Sequence, residues 1–136
     1  DTNQVVRDLA AKLEVNFSST FAANRIGKKQ TNKNRLILIN FASHWDKRKL
    51  YFQRIKLSKK GLLNVFINED LAKQQSETFF LARKAKQRGL IKTAWTMNGA
   101  IFIKRLNGVD ISIVSTDDLV KNFPGFDPTK YKNTGN

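Results

Sequence analysis

Arg25, Lys28, Lys29 and Arg35 fall within eleven residues that hold no carboxylate, and Arg83, Lys84, Lys86, Arg88 and Lys92 fall within ten that hold none either. Arg48, Lys104 and Arg105 extend the two groups. Side chains of these types at this density suit phosphate oxygens. A guanidinium offers a planar fork of donors, an ammonium offers a compact point charge, and each phosphate neutralised releases condensed counterions. Such contacts follow a nucleic-acid backbone with little regard to base sequence. Trp95 and Tyr51 add ring faces on which an unpaired base can stack, although a Trp95 packed with Phe102 beneath a helix is the plainer expectation from cross-strand pairing.

The charge is segregated along the chain. Of 136 residues, 25 are Lys or Arg and 11 are Asp or Glu, a net of +14. Residues 24–60 carry twelve bases and one acid, Asp46, residues 83–105 carry seven bases and no acid, and the remainder carries six bases and ten acids. Two basic segments on a mildly acidic background read as a surface for a polyanion. Ten phenylalanines and a 40% apolar content argue against a disordered basic tail.

Several chemistries are excluded. The chain has no cysteine and one histidine, His44, so disulfides, zinc fingers, thiol nucleophiles and histidine-pair metal sites are out, and no metal or cofactor is expected. Glu69-Asp70 and Asp117-Asp118 read as first-turn helix acids, and no Gly-rich phosphate loop or nucleophile elbow occurs, so the chain reads as a non-enzyme. No apolar run reaches the ~20 residues of a membrane span and no signal peptide is visible, so an intracellular protein without a membrane partner is expected. The first residue is Asp, and sequence upstream of it is expected.

The elements that must position these groups fall into an α+β order. Thr2–Leu13 reads as a helix capped by Thr2, residues 20–28 as a strand, and Arg35–Phe41 (RLILINF) as the clearest strand. Ser43 caps a helix predicted over His44–Leu57, with Trp45, Leu50, Phe52 and Ile55 on its buried side, and Leu62–Ile67 (LLNVFI) reads as a further strand. This is an RNA-recognition-motif-like βαββαβ unit, ferredoxin-like, lacking its first strand, and it is assigned residues 1–67. A small αβββα domain follows over 68–124. Asn68 or Asp70 caps its first helix, which runs to Arg88 before Gly89 and has an apolar face of Leu71, Phe79, Ala82 and Ala85. Asn98-Gly99 and Asn107-Gly108 are read as two-residue hairpin loops. They predict pairs of Trp95 with Phe102 and of Arg105 with Asp110, and one sheet face of Trp95, Met97, Phe102, Ile111 and Ile113. Ser115 or Thr116 caps a last short helix before Pro124, and residues 125–136 are expected to form a flexible tail. The cation groups of the two domains are expected to line one shared trough.

The stretch Phe66–Leu71, then Phe79–Lys86, Gly89 and Lys92–Lys104 (KTAWTMNGAIFIK) resembles the C-terminal domain of the baculovirus few-polyhedra (FP) protein. That domain is shared with first-open-reading-frame proteins of LINE-type (non-LTR) retrotransposons. Asn24–Lys28, Arg35–Phe41 and Ser43–Trp45 are similar to the RNA-recognition-motif-like part of the same proteins, so the resemblance spans residues 20–123. It implies a protein that binds single-stranded RNA or DNA, forms a ribonucleoprotein in cytoplasm or nucleus and acts as a nucleic-acid chaperone. It also implies self-association through an upstream coiled coil, for which this chain has no heptads. RLILINF lacks the aromatic signature with which an RNA recognition motif stacks bases on its sheet. The competing expectation is a viral FP-type protein-interaction module serving nucleocapsid or envelopment traffic.

Overall fold

A computed structural model of the chain describes residues 1–131, which form a mixed α+β arrangement divided into two compact units, Asp1–Asn68 and Glu69–Asn136.

The first unit runs α1 (Thr2–Lys12), β1 (Phe21–Arg25), β2 (Ile37–Phe41) and α2 (His44–Phe52), the last continuing as a 3-10 turn over Gln53–Lys56. Asp1, not Thr2, caps α1 by accepting from the Asn3 N–H. That leaves Thr2 and Asn3 to serve the sheet: the Thr2 hydroxyl donates to the Ala23 carbonyl, and the Ala23 N–H donates to Asn3 Oδ1 at 2.9 Å. The outer edge of β1 is thereby held by the start of α1. β1 and β2 pair antiparallel, with Ala23 opposite Ile39. Ala10, Leu13, Val15, Leu50 and Leu57 form the core, closed by Leu9, Phe17, Ile39 and Phe41.

Two further expectations for this unit fail. Residues 62–67 form no strand, and the sheet has two strands. Leu62, Val65 and Ile67 pack on the core while Leu63 and Phe66 are exposed. That spacing of three and then two is not the period of two a strand requires, and a Val65 N–H to Leu62 carbonyl turn takes its place. On α2, Leu50 is buried but Trp45 and Phe52 are exposed, as is Ile55 in the 3-10 turn. Trp45 and Leu50 are five residues apart, a spacing that cannot share one helix face.

The second unit runs α3 (Lys73–Gln87), β3 (Ile91–Met97), β4 (Ala100–Arg105), β5 (Asp110–Ile113) and α4 (Thr116–Asn122). Its sheet order is β3-β4-β5, antiparallel throughout. Ile101, Ile103 and Ile113 on one sheet face pack with Leu81, Ala82 and Ala85 of α3 and Leu119 of α4. Each isoleucine is at most 1% exposed, and burying such a side chain contributes about 1.5–3 kcal/mol. Ser115 caps α4 through the Asp118 N–H, and the Asp118 carboxylate returns the bond to the Val114 N–H.

Four corrections apply here. α3 begins at Lys73 with no side-chain cap, so neither Asn68 nor Asp70 starts it, and Leu71 lies outside the helix. Glu69 is not a helix acid: its carboxylate accepts from the Gly99 N–H at 3.1 Å, bracing the β3–β4 turn. The first hairpin has the expected register, Met97 with Ala100 and Trp95 with Phe102, across Asn98 and Gly99, both at positive φ. The second is shifted by one residue. Arg105 pairs with Val109 around a three-residue loop, with Gly108 at φ +91°, so Asp110 faces Lys104 and not Arg105. A one-residue slip exchanges sheet faces, and Ile111 and Ile113 lie beside Ile103 and Ile101 on the buried face, away from Trp95. Finally, residues 125–131 are not a free tail. Phe126 is fully buried, its ring stacks on Tyr131 at 5.5 Å, and Pro128–Lys130 form a 3-10 turn. The rest of the expected tail, residues 132–136, lies outside the described residues.

Candidate nucleic-acid interface

In the first unit the hairpin loop between β1 and β2 presents its cations in two ways. Arg25 donates to the Arg35 carbonyl at 3.0 Å and Arg35 donates to the Gly27 carbonyl at 3.3 Å, so both guanidinium groups brace the loop from its two ends. Each retains further N–H donors, because a guanidinium has five. Lys28 and Lys29 are exposed at the loop's start.

The acid of this region is removed from the surface. Residues 15–68 contain twelve bases and a single carboxylate, Asp46. Asp46 is fully buried. It accepts from the Ser18 N–H at 2.9 Å, the Ser19 N–H at 2.9 Å and the Ser18 hydroxyl at 3.0 Å, with Lys49 Nζ at 3.2 Å. The Ser18 amide first, then the Ser19 amide and Lys49, hold its pKa down to about 2 against the opposing effect of burial. The carboxylate is thus ionised and internally satisfied, and residues 15–68 offer no exposed acid to compete with a bound phosphate.

Arg48 stands on α2 with its guanidinium carbon 5.6 Å from the Trp45 ring centroid and 5.2 Å from that of Phe52. Sequence reasoning missed these two rings by assigning them to the core. The signal available was the i, i+3, i+7 spacing of Trp45, Arg48 and Phe52, which sets all three along one side of a helix.

The second unit distributes its cations differently. Arg83 lies over the Phe79 ring at 5.0 Å, Lys84 over the Phe80 ring at 5.2 Å, and Arg88 donates to the Tyr131 hydroxyl at 3.2 Å. These contacts engage the charged head groups themselves. Lys86 is exposed, and Lys92 is exposed where the β3–β4 register shifts between Ile91 and Thr93. Lys104 and Arg105, adjacent in sequence, point to opposite sheet faces. Lys104 is paired with Asp110 at 2.7 Å, while Arg105 donates to Asn122 Oδ1 at 2.6 Å and lies over Phe123. The structure does not bring these two together as one phosphate contact.

Trp95 stacks on Phe102, centroids 5.8 Å apart and planes 17° from parallel. The expected partner is correct but the expected place is not. The pair occupies the sheet face opposite Ile101 and Ile103, outside the core under α3, and both rings are part-exposed. Among the described residues no cluster of three or more His, Cys, Asp or Glu side chains could hold a metal ion, and no helix is long and apolar enough to cross a membrane.

Comparison with known proteins returns nothing: no family model, no curated protein and no solved structure matches this chain.

Proposed function

We propose that this chain binds single-stranded RNA or DNA as the nucleic-acid-binding protein of a LINE-type retrotransposon, forming a ribonucleoprotein and acting as a nucleic-acid chaperone without catalysis of its own. The observation that carries the reading is the charge distribution of the first unit after α1, where twelve bases share residues 15–68 with one acid and that acid is buried. A surface so free of carboxylates repels acidic partners least and releases counterions most when phosphates replace small anions. The α1-β1-β2-α2 order supports reading this unit as RNA-recognition-motif-like, and the α3-β3-β4-β5-α4 order supports an FP-type C-terminal domain. The part-exposed Trp95–Phe102 pair adds a ring platform of the kind on which bases stack irrespective of sequence. An intracellular ribonucleoprotein, in cytoplasm or nucleus, follows from the same reading.

The test is a titration of fluorescent poly(U) at two salt concentrations, with the wild type and with a variant in which Arg25, Lys29, Arg83 and Arg88 are each changed to Glu. The expected result is nanomolar-to-micromolar binding by the wild type and a shallower salt dependence in the variant, by roughly 0.7 in log–log slope for each phosphate that is no longer neutralised. Binding that is absent, or identical in the two proteins, refutes the proposal and leaves the protein-interaction module as the better description.

A further inference from the structure

The outward side of α2 keeps side chains that a solvated helix usually replaces. Trp45 is 68% exposed, Phe52 40% and Ile55 72%. Trp45, Arg48 and Phe52 follow one another along a single stripe, which Ile55 prolongs into the 3-10 turn, while Asp46 and Leu50 face the interior. The two rings are separated by seven residues, about 10 Å along a helix axis, and the Arg48 guanidinium sits between them within cation–π range of both. This is a ladder of three flat groups in the order ring, guanidinium, ring.

We propose that this ladder is a base-stacking site for single-stranded nucleic acid, an inference that rests on the function proposed above and adds a surface to it. Its partner must be anionic, because residues 15–68 expose cations and no carboxylate. It must also offer flat apolar faces to match Trp45 and Phe52. Unpaired nucleotides supply both in one molecule, the base to a ring and the phosphate to the in-plane donors of the guanidinium. An anionic bilayer fits less well. Interfacial helices submerge an unbroken apolar face, and here a cation stands at the centre of the stripe.

The experiment compares oligo(dT) with an abasic oligodeoxynucleotide of equal length, which keeps the phosphates and removes the bases. The wild type is expected to favour oligo(dT) by about tenfold or more per engaged ring. Two double variants, Trp45→Ala with Phe52→Ala and Trp45→Leu with Phe52→Leu, are expected to lose most of that preference while keeping the salt slope and the thermal midpoint by circular dichroism. The leucine pair retains apolar bulk, so it separates stacking from simple hydrophobic attachment. A preference unchanged in both variants, with binding retained, overturns the ladder but leaves the proposed function standing. No binding of either oligonucleotide by the wild type overturns both. Sedimentation with phosphatidylcholine–phosphatidylserine vesicles that survives in the leucine pair, without base preference in the wild type, makes the stripe a membrane contact and overturns the ladder.

Discussion

The two units are both basic but differ in whether acids stand among their cations. The first unit exposes three acids at its start, Asp1, Asp8 and Glu14, but from Val15 onward it has one carboxylate and hides it under Ser18 and Ser19. The second, Glu69–Asn136, has seven acids; Glu69 braces the β3–β4 turn and the half-buried Asp118 braces the start of α4, but the exposed Asp110 is paired with Lys104. Charge counted along the chain does not distinguish these cases. What distinguishes them is whether each carboxylate is spent on folding, as Asp46 is, or stands among the cations it neutralises, as Asp110 does.

The contrast in core construction yields the largest expected effect. The second unit encloses Phe126 completely, so Phe126→Ala should cost about 3–5 kcal/mol. Urea unfolding should show the loss, and a change under about 1 kcal/mol would mean that the segment after α4 adds little to that core. In the first unit the decisive group is polar. The folded pKa of Asp46 lies near 2, below its ordinary 3.8. Its contribution to stability is therefore present above about pH 4 and fades as the pH falls from there towards about 2. Asp46→Asn should lower stability at neutral pH and flatten that acid limb, as followed by circular dichroism across the range.

Smaller effects sharpen the same comparison. Gly108 closes the second hairpin at φ +91°, and a Cβ added there meets no atom within 4 Å. Gly108→Ala should therefore cost only the backbone penalty, about 1–2 kcal/mol, as a drop in the thermal midpoint without loss of sheet signal. Asp110→Asn should be the mildest change. The pair it breaks is half in solvent, worth at most about 1 kcal/mol. Yet it unmasks Lys104, so affinity for poly(U) at low salt should rise about two- to threefold with a slightly steeper salt slope. A fall in affinity would show that Asp110 positions Lys104 for the ligand instead of neutralising it.

What was legible in the sequence was local. Ser43 as the cap of α2, Ser115 as one of the two caps expected for α4, and Asn98-Gly99 as a two-residue turn are set by neighbours a few positions away, and all three stand in the fold. Part of what failed, such as the side of α2 that Trp45 and Phe52 take, was readable from local spacing; the rest depended on distant partners. Asn107-Gly108 has the same dipeptide as the first turn but closes a three-residue loop, and the resulting slip exchanges the cation that meets Asp110. Asp46 looks like a first-turn acid in sequence, and only the approach of Ser18, twenty-eight positions earlier, makes it a buried anchor. For the candidate interface, the cation positions were legible as charge. Their engagement was not, because Arg88 with Tyr131 and Arg105 with Asn122 are contacts made across the fold.

The two-stranded sheet of the first unit has a practical consequence. β1 is held on its outer side by Thr2 and Asn3, whereas no strand among the described residues lies along the outer side of β2. Ile37–Phe41 carries no charge and no proline, the devices with which proteins discourage self-templating at a sheet edge. Concentrated stocks of this protein will tend to form intermolecular ribbons through that segment, and Leu38→Lys or Asn40→Lys is the simplest remedy for anyone who needs the chains to stay dispersed.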